Sequence, residues 1–309
     1  MQKQLSPSER GETFTVPRLD VHDLVTHIII GQLEKGVIPW QKPFKDNSRS
    51  PFNIPFNYTT GNKYRGINIV LLWAAAMDRN YQTDEWASFK QWQTKNERIR
   101  KGEKGNLVVY YDTFEKDVDG EIQKIPFLKA SYVFNRCQLE SYQPLEVEEP
   151  TKPRRIVPFE HIDAVDMFIN NTGAIIGHHN GGAYYDRVAD VIGMPYSDNF
   201  EEVAGCTVTE SYCSVLFHEL IHWSGAKHRL NRVKAKIFGD QNYAQEELIA
   251  EFGAAFLCAE FGLNTAEKGN HAAYIDNWLT ALRADNRCIF KVASEASKAV
   301  TYLTDLQPS

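Results

Sequence analysis

The stretch TESYCSVLFHELIHWSG, residues 209–225, carries the most specific chemical pattern in this chain. Apolar residues recur along it at helical spacing. Thr207 and Glu210 have the spacing of a capping box, and Gly225 is placed to end a helix. These signals predict one helix that begins just after Thr207 and ends near Gly225.

His218 and His222 are four residues apart on the predicted helix, so both imidazoles face one side and can bind one cation. Glu219 is placed to act as the catalytic general base toward a water molecule. This is the HExxH arrangement of zinc hydrolases, which take a third ligand from elsewhere in the chain. A chance pair of surface histidines is the alternative, but three ionisable groups in an apolar helix are costly to bury without a ligand. We therefore predict a site for Zn2+ or another divalent transition metal.

Two candidates compete for the third ligand position. HELIHWSGAKH also matches the metzincin pattern HExxHxxGxxH, with His228 as third ligand, but all four methionines precede His228 and leave no Met-turn downstream. In YAQEELIAEFGAAFLCAEFG, residues 243–262, Glu247 and Glu251 have a spacing that resembles gluzincins. We predict Glu247 as the third metal ligand and Glu251 as a support for a histidine. His228, on a basic turn, is the alternative ligand or a surface residue.

Composition limits the class of protein. The chain has 309 residues, 43% hydrophobic and 24% charged, which excludes a disorder-dominated protein and suffices for two domains. Five cysteines form no CxxC pair, and an odd number suits a reducing compartment. The N-terminus lacks the apolar core of a signal peptide, and the apolar run from Ile67 to Met77 is too short to span a bilayer. We expect a cytoplasmic protein without a membrane partner.

Positive charge and aromatic rings are concentrated in the first half of the chain. Residues 1–143 hold 20 Lys or Arg and 17 Asp or Glu, and within them residues 35–104 hold 13 basic, 6 acidic and eleven aromatic residues. Rings that stack on bases and cations that neutralise phosphates are what single-stranded DNA requires, although some of these rings are expected to pack beneath their loop. The predicted DNA contacts are Trp40, Lys42, Phe44, Lys63, Tyr64, Arg65, Arg100, Lys101 and Lys104.

The chain divides into a polar leader (1–17), a first domain (18–144), a charged, proline-bearing linker (145–158) and a second domain (159–309). The first domain is expected to contain helices and a hairpin that turns at Asp119 and Gly120. In the second, paired strands precede several helices, and His178 and His179 are expected in a loop. The predicted class is α+β with two domains, the second mainly helical with a small sheet.

Several motifs, in order, resemble one family. PWQKPF (39–44), TGNKYRGIN (60–68), WASFKQW (86–92), RKGEKG (100–105) and YVFNRCQ (132–138) resemble the N-terminal domain of ArdC-type antirestriction proteins. HELIHWSGAKHRLNR (218–232) and YAQEELIAEFGAAFL (243–257) resemble their zincin metallopeptidase-like domain, and the likeness spans Val21 to Leu303. It implies a metal site at His218, Glu219, His222 and Glu247. It also implies a plasmid-borne protein that binds single-stranded DNA entering by conjugation and shields it from host restriction.

The mechanism of protection has two alternatives at this point: the first domain covers the DNA, or the second cleaves a host restriction protein. Duplex DNA is a further candidate partner. A different reading is a cytoplasmic zinc metalloprotease that acts on a protein partner, with the first domain as its recognition module. In a third, the metal only stabilises the second domain.

Overall fold

The structure is a computed structural model and describes residues 20–41, 53–118, 121–144, 158–203, 206–232, 241–265 and 271–308. The predicted leader, all but the last residue of the predicted linker, and the predicted turn at Asp119 and Gly120 lie outside these ranges. No helix within them is long and apolar enough to cross a membrane.

In its described residues, the first domain contains three helices and a four-stranded sheet. In chain order its elements are α1 (Val21–Leu33), β1 (Phe56–Asn57), α2 (Ile67–Arg79), β2 (Glu85–Ala87), α3 (Phe89–Thr94), β3 (Asn106–Val118) and β4 (Glu121–Asn135). The strand order is β1-β2-β4-β3, with β1 parallel to β2 and the other neighbours antiparallel. Strands β3 and β4 are the predicted hairpin, since Val118 pairs with Glu121.

The second domain has a small sheet and is otherwise helical. Its elements are α4 (Asp163–Thr172), β5 (Ile175–His179), β6 (Tyr184–Asp186), β7 (Val191–Pro195), α5 (Val208–Ser224), α6 (Gln241–Glu260), α7 (His271–Ala284) and α8 (Cys288–Asp305). Strand β7 is central, parallel to β5 and antiparallel to β6. The predicted α+β class with two domains is confirmed.

The prediction that His178 and His179 lie in a loop is wrong. Both end strand β5, where His178 pairs with Met194 and His179 with Pro195 of β7. The glycine and asparagine residues around the two histidines favour a loop locally. Hydrogen bonding to β7 nevertheless places both histidines in a strand.

The two domains share one hydrophobic core. Trp40 follows α1 and packs against Phe252 of α6 and Trp278 of α7, with ring centroids 4.5 and 5.3 Å away. Trp73 of α2 lies 5.8 Å from Phe256 of α6. The first domain therefore packs directly on α6, the helix that was predicted to supply a metal ligand.

Helix α5 forms as its sequence predicts. The Thr207 side chain accepts a hydrogen bond from the Glu210 backbone, Glu210 accepts one from the Thr207 backbone, and Gly225 follows the last helical residue. Helix α6 approaches α5 closely at Gly253, where a Cβ atom would lie only 2.6 Å from Ile221. A glycine at this contact brings the faces of α5 and α6 together.

Candidate metal centre

His218 and His222 of α5 meet Glu247 of α6 in the interior of the second domain. The two Nε2 atoms lie 3.1 Å apart, and the Glu247 carboxylate lies 3.5 Å from Nε2 of His218 and 3.4 Å from Nε2 of His222. One ligand atom from each residue falls within 4.8 Å of the others, and no other such group of three is found among the described residues. Two imidazole nitrogens and one carboxylate oxygen that converge in this way fit a divalent cation.

The other nitrogen of each imidazole faces a second carboxylate. Nδ1 of His218 lies 3.5 Å from Glu251, and Nδ1 of His222 lies 3.3 Å from Glu246. A carboxylate at Nδ1 keeps the proton there and leaves Nε2 with a lone pair for a metal. Glu251 thus lies where a histidine support was predicted. Glu246 was missed, because its neighbour Glu247 already accounted for the motif.

Arg232 completes this arrangement. Its guanidinium donates to both oxygens of Glu246, at 2.9 and 3.0 Å, and to the carbonyl of Ile221 at 2.6 Å. The side chains of Arg232 and Glu246 are only 4% and 5% exposed. The sequence predicted a basic turn here, but Arg232 is a buried partner of the site and is not on the surface.

Electrostatics favour positive charge between these carboxylates. Burial lowers the pKa of His222, but hydrogen bonds to Glu246 and Glu247, together with their charges, outweigh burial and raise this pKa to about 9. Burial raises the pKa of Glu247, and its hydrogen bonds to His218 and His222 reverse that effect and hold it well below the usual value. Either a proton or a metal cation can supply the positive charge that the cluster attracts.

Glu219, the predicted general base, is buried beside His218 at 8% exposure and lies outside the three-residue ligand group. A pocket of about 400 Å³ opens next to His218 and Glu251. Trp40 of the first domain and Val215 of α5 line this pocket. The pocket gives a ligand space to approach the histidine face of α5.

His228 does not join the ligand group. Its side chain is 63% exposed and lies 3.2 Å from Asp190. The adjacent Arg229 is almost buried, stacks over Trp223 at 3.8 Å and donates to Tyr185 at 2.9 Å. Two arginines of the predicted basic turn, Arg229 and Arg232, therefore anchor it to the protein through buried side chains.

The predicted DNA contacts separate into four groups. Lys42 and Phe44 lie outside the described residues. Trp40 is 1% exposed and Tyr64 is 8% exposed, so neither ring can stack on a base, and the prediction for these two is corrected because both rings belong to the core. Lys63 pairs with Glu260 of α6. The remaining predicted contacts are exposed: Arg65, Arg100, Lys101 and Lys104.

Two family models match the chain. Residues 19–134 match the N-terminal domain of the anti-restriction factor ArdC, and residues 163–295 match a zincin-like metallopeptidase domain. A crystal structure of the antirestriction protein ArdC from plasmid R388, free of metal, superposes with a TM-score of 0.75 at 36% identity and covers 93% of this chain and 98% of that one. The chain belongs to the ArdC-type antirestriction family. A Mn(II)-bound structure of R388 ArdC superposes with a TM-score of 0.73 at 34% identity.

Two relatives of this ArdC-type chain differ in length. Protein y4eC of Sinorhizobium fredii is 34% identical over 293 residues, which cover 92% of this chain and 91% of y4eC. DNA primase TraC of Escherichia coli is 32% identical over 297 residues, which cover 90% of this chain but 26% of the primase. The chain thus corresponds to about a quarter of TraC.

Proposed function

We propose that this ArdC-type chain is an antirestriction protein of a conjugative plasmid. Its first domain binds single-stranded DNA, and its second domain carries a metal-dependent, peptidase-like centre. Family membership supports the antirestriction role, and the likeness to the DNA primase TraC supports a role on DNA. The observation that carries the metal centre is the convergence of His218, His222 and Glu247.

The ligand group fits a divalent metal on its own chemistry. Both Nε2 atoms point to one position, and both Nδ1 atoms are held by carboxylates, which suits two neutral imidazole ligands. Two nitrogens and one carboxylate are a common zinc ligand set, so Zn2+ is the proposed ion. Mn(II) in the R388 relative supports a second divalent ion as an alternative occupant.

The proposed chemistry is hydrolysis of a peptide bond in a host restriction protein. A bound divalent metal supplies Lewis-acid polarisation of the scissile carbonyl. His218, His222 and Glu247 would hold that ion, while Glu246 and Glu251 orient the two imidazoles. Glu219 accepts a proton from the attacking water and returns it to the departing amine nitrogen.

Conjugation of an unmodified plasmid into a restricting recipient tests this function. We expect the chain to raise the yield of transconjugants in a restricting recipient and to leave the yield unchanged in a restriction-deficient one. Equal yields with and without the chain in the restricting recipient would contradict the antirestriction role.

Glu219→Gln separates the two mechanisms of protection. Loss of protection by this variant, with metal binding retained, supports cleavage of a restriction protein. Full protection by the same variant supports masking of the DNA strand by the first domain. A Glu260→Gln variant, altered at the exposed end of α6, is the matched control and should protect normally.

A further inference from the structure

Several aromatic side chains in the described part of the first domain are exposed, and two of them lie close to the basic segment 98–104. Phe89 and Tyr132 are 51% and 54% exposed. The half-buried ring of Phe134 lies edge-to-face with Phe89 at a centroid distance of 6.4 Å. A Cβ atom at Gly105 would lie 2.8 Å from Tyr132 and 3.3 Å from the Phe134 ring, so the backbone at Gly105 runs against both side chains. We call Phe89, Phe134 and Tyr132 the ring platform.

Phe134, the central ring of the platform, packs on a small core of its own. Ala87, Trp92 and Leu139 form a buried cluster, separate from the main core, and Phe134 packs against it. The indole of Trp92 donates a hydrogen bond to the backbone carbonyl of Phe134 at 2.9 Å. Phe134 is therefore fixed in position, and the neighbouring Phe89 ring rests edge-to-face against it.

Positive charge borders the ring platform. Residues 89–104 hold six Lys or Arg and two Glu. The segment 98–104, the basic loop, leads directly into Gly105. Arg100 pairs with Glu103 at 3.3 Å, whereas Lys101 and Lys104 are exposed and have no ion-pair partner among the described residues. Both lysines are thus available to phosphates.

A buried amide fixes the basic loop in place. Gln138, with 0% exposure, donates to the Glu103 carboxylate and to the Lys104 carbonyl, both at 2.9 Å. It also accepts hydrogen bonds from the Asn135 backbone at 2.9 Å and the Asn106 side chain at 3.0 Å. Every polar atom of the amide is bonded, so the loop is preorganised and differs from an ordinary solvated loop.

We propose that the ring platform and the basic loop bind single-stranded DNA, with unpaired bases stacked on Phe89 and Tyr132 and phosphates at Lys101 and Lys104. This inference rests on the proposed DNA-binding function and assigns a surface to it. A duplex conceals its base faces, so exposed rings select a single strand, and the two lysines make binding sensitive to salt.

Fluorescence anisotropy of the full-length protein with labelled oligo-dT tests the rings. We expect Phe89→Ala/Tyr132→Ala to weaken binding roughly 10-fold or more, since each stacked base contributes about that factor. Tyr184→Ala, which removes a 49% exposed ring from β6 of the second domain, is the control and should bind like the wild type. Melting temperatures of both variants check that the fold is retained, since about half of each altered side chain is exposed and the rest is packed.

A salt series tests the lysines. Lys101→Gln/Lys104→Gln should make the plot of log affinity against log salt concentration shallower by about 0.7 per lysine. Lys291→Gln/Lys298→Gln removes two exposed cations of α8 and should leave the slope unchanged.

The possible outcomes are distinct. If the wild type binds oligo-dT and the ring variant binds equally well, the assigned surface is wrong and the DNA-binding function stands. If the wild type binds neither oligo-dT nor a hairpin duplex, the proposed DNA-binding function is itself wrong, and this inference falls with it. Equal loss of hairpin-duplex and oligo-dT binding in the ring variant would overturn selection of unpaired bases.

Discussion

Nδ1 of His222 lies 3.3 Å from the carboxylate of Glu246, and both oxygens of that carboxylate accept hydrogen bonds from Arg232. The three side chains form a buried series that ends at the metal-facing nitrogen of His222. Arg232 also binds the carbonyl of Ile221, one residue before His222. The orientation of the imidazole is therefore set both by its carboxylate partner and by the helix that carries it.

Glu246→Gln tests this series. We expect metal affinity to fall about 10- to 100-fold, because an amide holds the Nδ1 proton less strongly than a carboxylate does. Isothermal titration of the folded protein with Zn2+ and with Mn2+ measures the change. Glu260→Gln, on the same helix but 34% exposed, should titrate like the wild type, and equal affinity of the two variants would show that Glu246 does not support the site.

Removal of one ligand should abolish stabilisation by metal. Zn2+ at about 100 times its dissociation constant should raise the free energy of unfolding of the wild type by about 2.7 kcal/mol. His218→Ala should lose this increment, and His228→Ala should keep it because His228 lies at Asp190 and outside the ligand group. Chemical denaturation with and without metal provides the comparison. Loss of the increment in His228→Ala would restore His228 as a ligand.

Gly253→Ala should separate α5 from α6. A Cβ atom there would lie 2.6 Å from Ile221, whose side chain is fully buried, so we expect a loss of about 1–3 kcal/mol in the free energy of unfolding. Gly31→Ala in α1 meets no atom within 4 Å and should stabilise the protein by up to about 1 kcal/mol. Urea denaturation measures the free energy of unfolding of both variants. A smaller loss of stability in Gly253→Ala/Ile221→Ala than in Gly253→Ala would show that the added methyl group clashes with Ile221.

Trp40→Phe should change stability and leave DNA binding unchanged. Trp40 is 1% exposed between Phe252 and Trp278, so the smaller ring creates a cavity in the shared core. We expect a loss of about 1–3 kcal/mol in the free energy of unfolding and an unchanged affinity for oligo-dT. An unchanged stability with at least tenfold weaker DNA binding would instead place Trp40 on the DNA surface.

The cysteines should be unreactive in the native protein. All five thiols are buried, and burial raises the pKa of Cys213 to about 12 and that of Cys288 to about 11. The thiolate is the reactive form, so at pH 8 a buried thiol with a raised pKa is both protonated and inaccessible. Ellman's reagent should label none of the five before denaturation and all of them afterwards. Rapid labelling of the native protein would contradict the burial.

Helix α5 and its histidine pair follow from local sequence. A helix places residues four apart on one face, so the spacing of His218 and His222 determines their alignment once the helix forms. Thr207, Glu210 and Gly225 set the ends of that helix through hydrogen bonds to near neighbours. These features depend on contacts within a few residues, which a sequence displays directly.

Tertiary structure decided which acidic residue faces which histidine nitrogen. Glu246, Glu247 and Glu251 all lie on α6, but the contact of α6 with α5 at Gly253 sets which of them reaches Nε2 and which reaches Nδ1. The partnership of Arg232 with Glu246 had no local signal, because the two residues are 14 positions apart in the sequence.

The sequence also determined that the first half of the chain is rich in rings and cations, but not which rings meet solvent. Trp40 is buried because α6 and α7 provide partners for it, whereas the Phe89 and Tyr132 side chains are about half exposed. Aromatic residues are both core-forming and able to stack on bases, and composition is the same in either case. Only long-range packing, which removes some of these rings from water and leaves others exposed, distinguishes the two roles.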